Sequence, residues 1–389
     1  MDTRLLWLAL AAFVGSTEGG LIAGLLPGIS EEMGVTIGQA GQVVLGYSLA
    51  YAIGPPILTM LLGHVGRRRI LALAEFALAL SALLFAISPF FGWMVAARTV
   101  LAVGAGLFTG TAIATAAVIA APGQRGRALQ IISTGQALAA LFGVPIAAYV
   151  AARYSWRIDY AAISAMAALA SLALFLRLPK GLLGDQQTIR ERVRVLRNPG
   201  VPAALLTTLL FTLGAYPPTI YVGAVMHATG IARELLPYVL LASGVGAVGA
   251  SLSAGHLSDR FGTRATIVAT TLVMMLSLGL FGLLPVLPDV LRLGTLLLAA
   301  CILGYMGWGY WIAHCSQMAE LAPTSVPLAI SLNLTSFNLG IALAAAVGGV
   351  IVDSIGANAL ALASAPFAIL TLALAVWTGR KSHTVLDAG

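Results

Sequence analysis

Twelve long apolar segments run through the sequence and restrict what it can fold into. Each holds about 20 or more mostly apolar residues, enough to cross the roughly 30 Å hydrocarbon layer of a membrane as a helix. They do not show the alternating ten-residue pattern of barrel strands, and lipid-exposed backbone must make its hydrogen bonds within its own segment. The sequence therefore predicts an all-α membrane protein with twelve transmembrane helices. The segments lie near residues 5–29, 40–62, 70–89, 93–120, 128–152, 159–177, 201–225, 236–257, 265–285, 293–318, 326–353 and 357–378.

Composition excludes a soluble globular protein. Only 9% of the 389 residues are charged and 59% are hydrophobic, whereas a soluble protein carries about 25% charged residues. The first apolar run is longer than the 7 to 15 residues of a signal-peptide core, so we interpret it as a retained first span.

Basic residues predict the orientation of the chain. If the N-terminus is cytoplasmic, sixteen Lys and Arg residues fall on the cytoplasmic side and four fall on the outer loops, namely Arg153, Arg157, Arg233 and Arg292. This asymmetry follows the positive-inside rule, so both termini are expected in the cytoplasm. The formal net charge of +7 is then chiefly a consequence of topology.

A central basic segment divides six spans from six. We predict an N-terminal six-helix bundle at 1–177, a basic cytoplasmic linker at 178–200, a C-terminal six-helix bundle at 201–378 and a cytoplasmic tail at 379–389. The linker is expected to lie on the membrane, where it could alternatively bind lipid headgroups. An offset of 196 residues relates the two halves, matching Gly66 with Gly262, Arg68 with Arg264 and Pro89 with Pro285. The repeat predicts two pseudo-symmetric bundles.

Small residues recur every four positions on the second, fifth, eighth and eleventh spans. Tight packing between neighbouring helices would explain each stripe. Their recurrence at equivalent helices predicts a close-packed seam between the two halves. The stripes are Gly46, Ala50 and Gly54; Gly135, Ala139, Gly143, Ala147 and Ala151; Ala242, Gly246, Ala250 and Ala254; and Gly340, Ala344 and Gly348.

One loop motif resembles a transporter signature. The segment 255–264 (GHLSDRFGTR) between the eighth and ninth spans is similar to the G-x-L-x-D-R-x-G-x-R loop of the major facilitator superfamily. The copy after the second span is eroded, with Gly63 where the family usually has Asp. The resemblance implies a conformational latch. Its residues would be Asp259, Arg260, Gly262 and Arg264 in the second half and Gly66, Arg67 and Arg68 in the first.

Further strings resemble the arabinose-efflux-permease branch of the drug/proton antiporters. They are 15–18 (GSTE) with 24–27 (GLLP), 143–145 (GVP) with 156–157 (WR), 337–342 (FNLGIA), and Arg98 with Gly104 and Gly106. Leu101 and Ala102 depart from the Gln and Gly of the branch. The resemblance implies a monomeric secondary transporter of the bacterial inner membrane that works by alternating access. It also implies proton-coupled efflux of a small organic solute.

Two ionisable residues fall within spans and become candidates for proton coupling, because charge in hydrocarbon is costly. Glu18 lies near the middle of the first span, and Arg98 lies within the fourth. Burial favours the protonated form of a carboxyl group, whereas a nearby Arg favours the ionised form. A conformational change that alters either one could therefore switch the proton affinity of the group. The alternative is a static ion pair between these spans. Glu75, in the third span, is expected to reach the cytoplasmic edge.

Polar and aromatic residues supply candidates for substrate binding. The resemblance implies that the first, fourth, seventh and tenth spans line a central cavity, and few charges with many aromatics favour a neutral or amphiphilic solute. Packing against neighbouring helices remains open for each candidate, and His314 could also titrate. The candidates are Tyr47, Tyr51, Gln136, Thr212, Tyr216, Tyr305, Trp308, Trp311, His314, Asn333 and Asn338.

Other classes of protein find little support in the sequence. There is no phosphate-binding loop for ATP and no catalytic spacing, so neither an enzyme nor a cofactor is expected. Cys301 and Cys315 would lie about 21 Å apart on one helix, no Cys/His spacing predicts a metal site, and no basic domain suggests nucleic acid. Expected partners are a small-molecule substrate, protons and membrane lipid. An importer, a facilitator and a membrane sensor stay open as alternatives.

Overall fold

The computed structural model describes residues 3–120, 124–182, 189–198 and 200–386. Within these ranges the chain forms helices and turns without a β-strand. Twelve of the described helices are long and apolar enough to cross a membrane. The predicted all-α, twelve-helix fold is therefore confirmed.

Six spans precede the central linker. The second span is a short helix followed closely by a long one, and the fifth is interrupted by one wide π turn at Ala139–Gly143. The helices are α1 (Thr3–Met33), α2 (Ile37–Ala40), α3 (Gln42–Leu61), α4 (Arg67–Ala86), α5 (Phe91–Ile119), α6 (Arg125–Leu138), α7 (Val144–Arg153) and α8 (Trp156–Arg177).

Six more spans follow the linker. Its described part contains one short helix, α9 (Ile189–Leu196). The remaining helices are α10 (Gly200–Ile220), α11 (Val222–Ala228), α12 (Leu236–Phe261), α13 (Thr263–Leu283), α14 (Asp289–Leu321), α15 (Val326–Ser354) and α16 (Leu360–Leu386).

The helix boundaries follow from local chemistry. Thr36 caps α2, its side chain accepting from the backbone of Gln39 while the Gln39 side chain accepts from the backbone of Thr36, which satisfies two otherwise free donors. Gly262 ends α12 with φ +83°, a backbone conformation that glycine adopts at little cost. The seventh span was predicted to continue to residue 225, but α10 ends at Ile220, just after Pro217 and Pro218, which cannot donate backbone hydrogen bonds.

Serine hydroxyls tie the helices of each half together. In the first half Ser164 and Ser171 of α8 donate to the carbonyls of Ala79 and Ala72 in α4, each at 2.7 Å. In the second half Ser277 of α13 donates to Ala299 of α14 at 2.8 Å. Such bonds join helices where water is absent, as expected for spans packed in lipid.

The glycines of the small-residue stripes do not contribute to the predicted seam. A Cβ atom on Gly135 would meet the carbonyl of Ala9 in α1, and one on Gly246 would meet the carbonyl of Cys301 in α14. These glycines therefore bring helices of the same half together.

The seam itself joins the predicted helices through other residues. Gly244 of α12 abuts the carbonyl of Ala140 in the π turn, and Thr335 of α15 donates to the carbonyl of Ala52 in α3 at 3.2 Å. The eighth span thus meets the fifth, and the eleventh meets the second, across the two halves.

Asp353 closes the end of the bundle that the basic residues assign to the outer side. From the end of α15 it accepts from the Thr36 hydroxyl at 2.6 Å and from the Gly38 amide at 3.0 Å. Arg233 adds a second link between the halves, 3.2 Å from Glu31. Negative charge at the first turn of α2 is also favoured by the helix dipole. These contacts hold the outer ends of the two halves together.

Replacement of Asp353 by Ala should open this outer end. The carboxylate is exposed, so we expect a loss of about 1 kcal/mol, equal to about a fivefold shift toward states with separated outer ends. Distances between spin labels placed on α3 and α15 would measure the shift. Asp289→Ala is the matched control, because that exposed carboxylate pairs with Arg292 within the second half. Equal distance distributions in all three proteins would contradict the assignment.

Candidate functional site

A central cavity of about 780 Å³ lies between the two halves. Its wall extends from the middle of the bundle to Arg67 at the start of α4, Arg192 in α9 and Val326 at the start of α15. These positions belong to the cytoplasmic side, whereas the Asp353 contacts close the opposite side. The structure is therefore inward-open.

Aromatic side chains form one wall of the cavity. Trp311 of α14 lies edge-on to Phe337 of α15, with ring centroids 5.3 Å apart, and Phe337 lies edge-on to Tyr216 of α10 at 5.6 Å. Trp308 lines the same space. Edge-on pairs of this kind stabilise a rigid apolar surface.

Five of the substrate-binding candidates line the cavity. Tyr51, Gln136, Tyr216, Trp308 and Trp311 all contribute to its wall. The expectation of four lining helices is too narrow. Residues of the first, second, fourth, fifth, seventh, eighth, tenth and eleventh spans contribute, together with the start of the third.

Three candidates lie instead in a buried polar cluster of the second half. Thr208 of α10 donates to the Asn333 amide oxygen at 2.7 Å and lies 3.2 Å from the His314 ring nitrogens. Thr212, one turn further along α10, donates to the carbonyl of Thr208 at 3.0 Å. Asn333, His314 and Thr212 are fully buried. The structure places them in helix packing rather than in the cavity wall.

Tyr47, Tyr305 and Asn338 also lie outside the cavity wall. The Tyr305 hydroxyl is 2.6 Å from the Ser253 hydroxyl of α12, and the Asn338 amide donates to the carbonyl of Leu334. Each residue step turns a helix by about 100°. Polarity alone therefore does not predict which of two nearby residues faces a cavity, as Asn338 and Phe337 show.

The structure brings Glu18 and Arg98 together. Arg98 Nη1 lies 2.5 Å from Glu18 Oε1, and the two side chains are 1% and 0% exposed. The Tyr160 hydroxyl of α8 donates to the same carboxylate oxygen at 3.1 Å and also contacts Arg98. The carboxylate, the guanidinium and the phenol thus form one polar cluster that joins α1, α5 and α8.

Aromatic rings connect this cluster to the cavity. The Arg98 guanidinium lies 4.7 Å from the Tyr47 ring centroid, a distance typical of a cation–π contact. Tyr47 packs on Tyr51 with centroids 5.8 Å apart, and Tyr51 donates to Thr109 while lining the cavity. The ion pair is therefore separated from the cavity by two tyrosines in this conformation.

Three residues of these sites were not predicted from the sequence. Tyr160 carries no signal, because a tyrosine one turn into a span is an ordinary interfacial residue. Phe337 falls within a string used only for the family resemblance, and Thr109 is one of several threonines in α5. Their roles depend on helix rotation, which the sequence pattern does not provide.

The loop-motif residues make separate contacts in this conformation. Arg67 donates to the carbonyl of Ala114 at 2.8 Å, Arg264 donates to the carbonyl of Val376 at 2.6 Å, and the Arg68 guanidinium lies 4.6 Å from the Phe175 ring centroid. Arg260 lies over Phe261. Among the described residues, Asp259 and Arg264 form no ion pair with each other, and the latch remains a prediction for a different conformation.

The expectation for Glu75 is wrong. Its side chain is fully buried within α4 and makes no hydrogen bond to a described residue. The reason is the broad buried face of α4, which also includes Leu71 and Leu78 and turns the carboxyl into the bundle rather than along the lipid surface.

Comparison with known proteins decides the family. The sequence profile of the Major Facilitator Superfamily matches residues 8–222 and 204–387. The chain belongs to the major facilitator superfamily. It is 29% identical to the inner membrane transport protein YdhP of Escherichia coli (strain K12), over 97% of this chain and 96% of that protein.

One further relative and one solved structure carry names that describe different transported compounds. A chloramphenicol efflux pump of Mycobacterium tuberculosis (strain ATCC 25618 / H37Rv) is 30% identical over 69% of this chain and 66% of its own length. The crystal structure of the nucleoside transporter NupG superposes with a TM-score of 0.75 at 13% identity, covering 98% of this chain and 99% of that one. This second likeness shows the fold alone. The superfamily membership, the twelve apolar helices and the relative named as an inner membrane transport protein together show a multi-pass transporter of the bacterial inner membrane.

Loss of either partner of the Glu18–Arg98 pair should destabilise the protein. Arg98→Met leaves the Glu18 carboxyl without its cation, and Glu18→Gln leaves the buried Arg98 guanidinium without its counter-charge. Breaking a buried pair in this way typically costs about 3–5 kcal/mol. Thermal unfolding in detergent would measure the loss in each variant.

The double variant supplies the control. Glu18→Gln combined with Arg98→Met leaves neither charge unpaired, and it should be more stable than Arg98→Met alone. If the two single effects simply add, the buried pair is not coupled and this assignment fails.

Proposed function

We propose that this protein is a proton-coupled exporter of small neutral or amphiphilic organic solutes. Glu18 is the proton-binding group in this proposal, and Arg98 is the charge that modulates it. The observation that carries it is a fully buried ion pair connected through Tyr47 and Tyr51 to a central cavity.

Protonation of Glu18 would remove one partner of the pair. The attraction between two charges is strong in an apolar interior. Neutralising the carboxyl would remove this attraction and leave Arg98 held more by the Tyr47 ring, which it already contacts. Tyr51 then transmits the change to the cavity wall, where its hydroxyl is held by Thr109 at 3.1 Å. A bound solute that displaces Tyr51 would act in the opposite direction. Exchange of proton for solute follows from this competition.

The cavity wall supports the substrate class. It is chiefly apolar and aromatic, and its described residues include Arg67 and Arg192 but no Asp or Glu. Cationic solutes therefore find no counter-charge there, whereas neutral aromatic solutes can pack on Trp308, Trp311 and Phe337. Chloramphenicol, a neutral aromatic compound named for one relative, is the first probe.

The proposed cycle uses the two halves as rocking bodies. Residues 1–177 and 201–378 would alternate around the cavity, joined by the linker at 178–200, with one chain sufficient for transport and no cofactor required. Membrane lipid surrounds the chain, and the motif residues Asp259 and Arg264 would form the latch on the cytoplasmic side when the outer end opens. A proton-coupled importer, a facilitator and a membrane sensor are the alternatives that transport assays separate.

Glu18→Gln should abolish transport driven by a pH gradient, because the amide cannot exchange a proton. The accumulation of radiolabelled chloramphenicol in proteoliposomes with an imposed pH gradient would measure this transport. Solute counterflow without a pH gradient should persist, since it requires only the cavity and alternation.

Asp289→Asn is the matched control for this experiment. Asp289 is an exposed carboxylate that pairs with Arg292 within the second half, apart from the buried pair and from the links between the halves, and its loss should leave gradient-driven transport nearly unchanged. Undiminished gradient-driven transport by Glu18→Gln would falsify the assignment of the proton site. If the imposed pH gradient caused no accumulation of solute by the wild type, although counterflow persisted, the result would instead indicate a facilitator.

Truncation of the aromatic wall should weaken solute binding. Trp311→Ala and Phe337→Ala each remove a ring on which an aromatic solute can pack, and such a contact is worth about 0.5–1.5 kcal/mol beyond the buried area, so we expect KM to rise roughly two- to tenfold. Concentration-dependent counterflow of chloramphenicol would measure KM. Trp377→Ala is the control, because that ring is 53% exposed on the lipid-facing surface of α16. An equal change in all three variants would contradict a binding role.

A further inference from the structure

A second buried carboxyl lies apart from the Glu18 site. Glu75, near the middle of α4, is 0% exposed, and neither of its carboxyl oxygens has a hydrogen-bond partner among the described residues. It does not line the central cavity and forms no ion pair with a described residue. The transport proposal above gives it no role.

The helix α8 covers Glu75 on one side. The Ser171 and Ser164 hydroxyls donate to the carbonyls of Ala72 and Ala79, which lie one turn before and one turn after Glu75. These bonds fix α8 against α4 on both sides of the carboxyl. Ala167, midway between the two serines, is fully buried and offers no polar group.

The helix α5 approaches α4 at the same level. A Cβ atom on Gly104 would lie 2.8 Å from the carbonyl of Ala74 and 3.4 Å from the amide of Leu78. The two backbones are therefore in close contact beside Glu75. Leu107 and Phe108, which follow Gly104 on α5, belong to the same apolar core as Leu71 and Ala74.

No charged group of the surrounding helices pairs with Glu75 in the described part of the chain. On α5 the one titratable side chain is Arg98, which is engaged with Glu18 about 9 Å further toward the outer side, six residues from Gly104. The remaining groups lie on α4 and α8 toward one end or the other, and none bonds to Glu75. They are Arg67, Arg68 and Arg69 at the cytoplasmic start of α4, and Arg157, Asp159, Tyr160 and Arg177 on α8.

The two buried carboxyls therefore differ in their surroundings. Glu18 has a cation and a phenol as partners, whereas Glu75 has neither. An ionised carboxylate in an apolar interior without a partner is far more costly than the neutral acid, which loses only hydrogen bonds to water. We propose that Glu75 is a second proton-binding site, occupied by a proton in this inward-open state.

The position of this site relates it to the transport cycle. Leu78, one turn beyond Glu75, is the side chain nearest to Gly15 of α1, and Glu18 lies one turn further out on α1. Glu75 is thus on the cytoplasmic side of the Glu18–Arg98 pair. The proposed proton occupancy rests on the burial of Glu75 and not on the role of Glu18 in transport.

Infrared difference spectroscopy tests the proposal directly. Wild-type protein and Glu75→Gln would be reconstituted in lipid at neutral pH, and their spectra subtracted. We expect the difference to show loss of one C=O stretching band of a protonated carboxyl, with the carboxylate bands unchanged. The same loss should appear between Glu18→Gln and the Glu18→Gln/Glu75→Gln double variant, which separates the two sites.

The opposite spectrum would overturn the proposal. Loss of carboxylate bands, with the protonated C=O band retained, would show that Glu75 is ionised. Glu75→Met is the second variant, since a neutral group without polar contacts should tolerate an apolar side chain of similar length. Failure of both variants to fold would also count against the proposal, because it would indicate a polar partner essential to the fold. Neither result depends on transport, so failure here leaves the Glu18→Gln experiment intact.

Discussion

Hydrocarbon offers no hydrogen-bond partners, and this one constraint governs the backbone, the helix contacts and the few charges of the molecule. Each span meets it by bonding within its own helix. Where two spans meet, a serine hydroxyl such as Ser164 or Ser336 donates to a carbonyl of the neighbouring helix. The same requirement explains why Arg98 is surrounded by a carboxylate, a phenol and an aromatic face. A charge in such an environment depends on its partners, so a change of one proton alters the stability of the whole cluster.

The contacts at the outer end of the bundle are weak, in contrast to those of the buried cluster. The links made by Asp353 and Arg233 are exposed to water, where each contributes little. They favour the inward-open state without fixing it. In the proposed cycle the buried cluster responds to a proton, and the outer end is held weakly. The two properties together suit a molecule that must leave each state as readily as it enters it.

The number and type of the spans could be predicted from the sequence, because segment length and hydropathy depend directly on the membrane environment. The pairing of Glu18 with Arg98 was also accessible, since charges in spans are rare and their depths are similar. The rotation of each helix about its own axis could not be predicted from the sequence. Asn333 and Ser331 are two residues apart, yet Ser331 lines the cavity and Asn333 is buried against α10. Glu75 illustrates the same limit, because depth along a helix does not indicate whether a side chain faces lipid or protein.

The π turn in the fifth span has a geometric consequence for its contacts. A step of four residues along a regular α-helix rotates by about 400°, so a row of side chains repeating every four residues drifts by about 40° per step and about 80° over two. A π turn contains more residues per turn than a regular α-helix, so it cancels much of that drift. Gly135 and Gly143 can therefore both face α1, at Ala9 and Thr17, while Gln136, Ala140 and Val144 all face the cavity. The π turn therefore allows the fifth span to present two straight rows of side chains. One row faces its own half, and the other faces the space through which solute would pass.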